Sequence, residues 1–120
     1  MKAKRVAPAT VTETFFAIDV ADMARAIEFY RRALGADVMF ESARWTSIKL
    51  AGVRLGLALA PGYPGGRNGL HLAVIDLPAA RAAITAAGGV ATAAPVEVAP
   101  GVVIVEVGDS EGNRFILRTD

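Results

Sequence analysis

From residue 14 to residue 20 the chain alternates, with Phe16, Ile18 and Val20 on one face and Phe15, Ala17 and Asp19 on the other. A period of two is that of a β-strand with one face against a core. The period then changes to a helical one. In DMARAIEFYRRALG, Met23, Ile27, Tyr30 and Leu34 form a single stripe, Asp22 is suited to cap the first turn, and Gly35 suits a left-handed stop. Three strands are predicted next, at 37–42, 45–50 and 53–59, the last two joined across Ala51-Gly52.

The segment PGYPGGRNG, residues 61–69, is dense in Gly and Pro and reads as a linker. It has no GK[ST] ending and no helix directly after it, so it is not a phosphate loop. Beyond it the order begins again. Leu70, Leu72 and Val74 alternate with His71, Ala73 and Ile75, and Asp76 caps a helix through LPAARAAITAA that stops at Gly88. Strands are predicted at 90–98, 102–107 and 114–118, with turns at 99–101 and 109–113. The division expected is an N-terminal arm 1–13 and a single domain 14–120, made of module one 14–60, linker 61–69 and module two 70–120. The capping aspartates lie 54 residues apart, and AGVRLGLAL from Ala51 lies over EGNRFILRT from Glu111 at an offset of 60. A strand-helix-three-strand unit is thus present twice.

Composition narrows the chemistry. The 120 residues are one domain's worth, and a mean hydropathy of +0.41 owes much to Ala, without the roughly 18 consecutive apolar residues of a membrane span. A net charge of +1 gives no basic footprint for nucleic acid, so neither nucleic acid nor membrane is expected as a partner. Zero Cys and one His exclude disulfides, thiolate sites and multi-His zinc sites. Lys2, Lys4 and Arg5 are followed by no apolar stretch before Glu13, so a cytoplasmic location is expected.

The residues IDVADMARAIEFYRRALGADV at 18–38, IDLPAARAAITAAGG at 75–89 and GDSEGNRFIL at 108–117 resemble the vicinal oxygen chelate superfamily of glyoxalase I, bleomycin resistance proteins and extradiol dioxygenases. The resemblance spans nearly the whole chain from Thr14. It implies an α+β fold in which two βαβββ modules form one curved mixed sheet around a cavity, with helices on the outer face. It also implies a homodimer, formed by exchanging modules or by packing sheets side by side. In metal-binding members, each module's ligands come from its first and last strands. Here those places hold Phe15, Gly56, Gly69 and Ile116, none of which can ligate. No metal and no cofactor are therefore expected.

Strand parity then selects what the cavity does contain. His71 lies opposite Leu70 and Leu72, as a solvated or hydrogen-bonded histidine, a ligand contact, or a general acid or base. Arg54 shares a face with Gly56 and Ala58, and Arg114 holds the equivalent place in module two, a pair that would favour an anionic or carboxylate-bearing ligand. Arg114 could equally pair with Asp109 or Glu111. Trp45 is placed as a stacking wall or in a contact between chains, and Glu106 as a cavity polar group or a solvated charge. Phe15 joins them as an aromatic wall, whereas Phe16, Phe29, Tyr30 and Phe115 are assigned to the core. The expected function is metal-free binding of a small organic molecule such as an antibiotic or another toxic compound, as in the superfamily's drug-sequestering proteins; cationic bleomycin is a poor match for a chain of charge +1. The rivals are a lyase, isomerase or dioxygenase with His71 and Glu106 as acid and base, and a non-catalytic regulatory module.

Overall fold

The first alternation becomes β1 (Phe16–Val20) and the helical stripe becomes α1 (Met23–Leu34) in a computed structural model that describes residues 5–120. The first four residues of the expected arm, with Lys2 and Lys4, lie outside the described residues, and residues 5–15 form no regular element. Asp22 caps α1 by accepting the Arg25 N–H at 3.0 Å, and Gly35 ends it at φ 66°, a conformation that costs a residue without Cβ little. Then come β2 (Asp37–Glu41), β3 (Trp45–Leu50) and β4 (Val53–Leu59). The second series is β5 (Arg67–Ala73), α2 (Leu77–Ala86), β6 (Val96–Ala99), β7 (Val102–Gly108) and β8 (Arg114–Thr119). Asp76 caps α2 through the Ala79 N–H at 3.0 Å.

The repeat is therefore structural. Each module is a mixed four-stranded sheet, β1-β4-β3-β2 and β5-β8-β7-β6, whose parallel pairs are β1 with β4 and β5 with β8. Within one chain the two sheets stay separate instead of forming one continuous sheet, and β1 and β5 each have a single neighbour. Two strands depart from their predicted bounds for local reasons. β5 starts inside the Gly/Pro segment, where a bulge between Arg67 and His71 absorbs the left-handed Gly69 at φ 77°. The predicted strand 90–98 keeps only a bridge from Val90 to Gly108 before β6 begins just after Pro95, which has no N–H to give a ladder.

α1 and α2 pack on each other and on their own sheets, so the two modules share one core. Phe29, Tyr30 and Phe115 are buried in it as expected, the first two edge to face at 5.1 Å between centroids. Phe16 is not in it. It has the parity of Ile18 and Val20 but stands at the start of β1 on an open sheet edge, where it is 59% exposed. Among the described residues no helix is long and apolar enough to cross a membrane.

The modules are also joined by polar groups in the turn before β8. Asp109 is buried and accepts the Tyr30 hydroxyl at 2.7 Å, the Glu111 and Asn113 N–H groups and the Asn113 amide, which also donates to the Asp19 carbonyl. Glu111 accepts the Asp22 N–H at 2.8 Å and the Arg25 Nε at 2.7 Å. Burial, and after it the neighbouring Asp109 charge and hydrogen bond, push the Tyr30 phenol far above its ordinary value. Burial alone would raise the Glu111 carboxyl, but the hydrogen bonds from Arg25, Ser110 and the Asp22 N–H, with the Arg25 charge, hold it below the usual range.

Tyr30→Phe is expected to cost about 1–2 kcal/mol of stability, and Asp109→Ala about 3–5 kcal/mol because it orphans several buried donors at once; urea denaturation checks both. Because the folded Glu111 pKa is the lower one, its contribution is present above the unfolded value of about 4.3 and is lost as pH falls through the folded value. Acid titration of stability should thus show a loss on that limb that Glu111→Gln flattens.

Candidate functional site

On β3 and β4 the ladder sets Trp45 opposite Ala58, Ser47 opposite Gly56 and Lys49 opposite Arg54, all on the sheet face turned away from the core. Ile48, Leu55 and Leu57 take the other face and are buried. The indole N–H of Trp45 donates to the Ser47 hydroxyl at 3.0 Å, which lays the ring along its own strand. There it covers Gly56 so closely that a Cβ at that position would overlap the indole. Phe15, one residue before β1, meets Trp45 edge to face at 6.2 Å and 81°. The Arg54 guanidinium lies over the Phe15 ring, 4.2 Å from its centroid, and Nη1 donates to Glu13 Oε1 at 3.1 Å. Glu13, Met39, Phe40, Trp45, Ser47, Lys49 and Arg54 enclose a groove of about 560 Å³.

Three of the six residues expected in the cavity are thus brought together, Phe15 meeting both Trp45 and Arg54. The other three are elsewhere in the chain. Glu106 and Arg114 line a hollow of about 310 Å³ with Thr92 and Val107, and Glu106 accepts Arg67 Nη2 at 2.9 Å. His71 borders a more apolar hollow of about 490 Å³, with Phe16, Leu50 and Leu55 across from Leu70 and Leu72. It is exposed, and its Nδ1–H donates to the Gly69 carbonyl at 2.9 Å. The alternative pairing considered for Arg114 does not occur. Asp109 is engaged by Tyr30 and Glu111 by Arg25, and Arg114 makes no ion pair among the described residues. Two participants escape a reading of the sequence, Glu13 because it sits in a segment without periodicity, and Arg67 because it is embedded in Gly and Pro.

The residues do not fit the metal that many proteins of this fold carry. Phe15, Gly56, Gly69 and Ile116 offer no donor atom, and the Gly56 place is roofed by carbon atoms of Trp45. Among the described residues, no group of three His, Asp or Glu side chains is arranged to hold an ion.

Paired βαβββ modules with an aromatic and cationic groove on the sheet face turned away from the helices define an α+β protein of the paired-module cavity class. A family model described as a glyoxalase-like domain matches residues 15–118, and the chain belongs to that family. Its fold is that of the glyoxalase/bleomycin resistance/dioxygenase superfamily. A superfamily member from Sphaerobacter thermophilus is 24% identical, with a TM-score of 0.74 over 92% of this chain and 98% of that one. The fosfomycin resistance protein FosX of Listeria monocytogenes has a TM-score of 0.77 at 13% identity over 93% and 95%. A lactoylglutathione lyase from Agrobacterium tumefaciens has a TM-score of 0.70 at 14% identity over 92% and 95%. At these identities the likeness is one of fold. No curated protein matches the chain.

Gly56→Ala is expected to force the indole off the sheet and to cost about 1–3 kcal/mol, the range of overpacked sites. In a Trp45→Ala background the same change should cost little. Chemical denaturation of the two single variants and the double variant measures that coupling.

Proposed function

We propose that the protein is a cytoplasmic homodimer that binds a small organic molecule without a metal, holding the molecule instead of transforming it. The observation that carries this reading is the indole of Trp45 lying across Gly56, so that an aromatic surface takes the place of a metal ligand. Aromatic walls with a few orienting polar groups suit an organic ligand. Catalysis by His71 and Glu106 is disfavoured because the β5-β8-β7 ladder sets them two strands apart, on either side of Ile116, and Glu106 is already paired with Arg67. On this reading the biological role is sequestration of an antibiotic or another toxic compound; the fold is shared with a fosfomycin resistance protein.

Two features support a dimer. β1 and β5 present unpaired edges, and Phe16 on the β1 edge is exposed. Pairing β1 of one copy with β5 of another would bring the Trp45 groove of one chain beside the His71 and Glu106 faces of its partner.

Elemental analysis after exposure to Ni, Zn, Fe and Mn salts should find no stoichiometric metal, and about one tightly held ion per chain would overturn the metal-free reading. Sedimentation at micromolar concentration should give twice the 12.5 kDa chain mass, and a monomer would remove the composite cavity.

A further inference from the structure

Two cations and one carboxylate line the Trp45 groove, and they are not evenly matched. Lys49 and Arg54 are direct partners in the β3–β4 ladder, so both project from one face, whereas Glu13 reaches in from an irregular segment. Lys49 makes no ion pair among the described residues, and Glu13 engages only Nη1 of Arg54. Arg54 Nε is buried without a partner, a donor that is costly to leave unsatisfied. A guanidinium offers its N–H groups as a planar fork that matches a carboxylate's two oxygens. The groove thus holds more positive donor capacity than Glu13 satisfies.

The remaining walls are Trp45, Phe40 and Met39, with Phe15 held beneath Arg54, and these are surfaces suited to the face and edge of a planar ring. Met39 and Phe40 are exposed by more than half, so this apolar surface is uncovered in the single chain. On the reading that this face is a small-molecule site, we propose that the groove takes an aromatic carboxylate and that Glu13 is its internal stand-in, displaced from Arg54 when the ligand arrives. A neutral ring would leave Lys49 and the exposed part of the Arg54 guanidinium without an anion, and an aliphatic acid would leave the aromatic walls wet. Glu13 is suited to yielding: its side chain is 50% exposed, and no other hydrogen bond or ion pair of that side chain is present among the described residues.

Trp45 is the only tryptophan, so its emission reports on this groove alone. Benzoate and its neutral counterpart benzamide are titrated into the full chain by calorimetry, with Trp45 emission followed in parallel. Benzoate is expected to bind and shift that emission, and benzamide to bind at least tenfold more weakly. Glu13→Gln should tighten benzoate about threefold to fivefold, the worth of one exposed ion pair. Arg54→Gln should weaken it at least tenfold, and Lys49→Gln, an exposed position with little bearing on folding, should weaken it less. Equal binding of benzamide would overturn the carboxylate preference while leaving metal-free small-molecule binding intact. Unchanged or weaker benzoate binding by Glu13→Gln would overturn the stand-in role. If neither probe moves the Trp45 emission, the aromatic carboxylate is ruled out, and the functional reading then stands or falls on the metal and sedimentation measurements.

Discussion

The buried carboxylate of Asp109 accepts four hydrogen bonds, three from its own turn and one from Tyr30 in the other module, 79 residues away in sequence. Its neighbour Glu111 reaches Arg25 and the Asp22 N–H, so the turn before β8 holds both the cap and the first turn of α1. The same turn meets the linker, where a Cβ on Gly65 would overlap the Gly112 backbone and one on Gly112 would crowd the Pro64 carbonyl, and the Arg114 N–H donates to the Gly66 carbonyl at 2.8 Å. These contacts converge on a five-residue loop. They fix how module two sits against α1, and so how the two open sheet faces are displayed. A polar network can do this where apolar packing alone would allow sliding, because each of its donors has one acceptor position that satisfies it.

The groove is the local counterpart of that order. Parity along β3 and β4 decides that Trp45, Ser47, Lys49 and Arg54 share a face, and the absence of a side chain at Gly56 decides that the indole can lie down on it. One short hydrogen bond to Ser47 holds the ring in place, which makes it a wall built before any ligand is present. Arg54 is steadied in turn by Phe15 below and Glu13 beside it.

Most of this architecture could be read from spacing. Asp22 and Asp76 before helical stripes, Gly35 after one, and the offsets between the halves are local signals, and local signals locate elements well. The face assignments of Trp45 and Arg54 follow from the same two-residue period. What was not legible depends on distance in sequence. Parity gives Phe16 its face but cannot reveal that its strand edge is open. The partners expected for Arg114 were reasonable by proximity, yet Asp109 and Glu111 are claimed by Tyr30 and Arg25, the latter 86 residues away. Glu13 reaches Arg54 across 41 residues from a segment whose composition suggests only a loose arm.

The indole on Gly56 also bears on how such a fold can change its chemistry. Supplying this chain with metal ligands would not be a matter of adding them one at a time. A carboxylate or imidazole at position 56 has no room while Trp45 stands, and removing Trp45 alone uncovers Ser47 and Gly56 and leaves a gap that nothing fills. Each single step loses packing before any ion can repay it. Metal chemistry at this place therefore requires concerted replacement of Trp45 and Gly56, because the steric fit of one residue on the other blocks each single step.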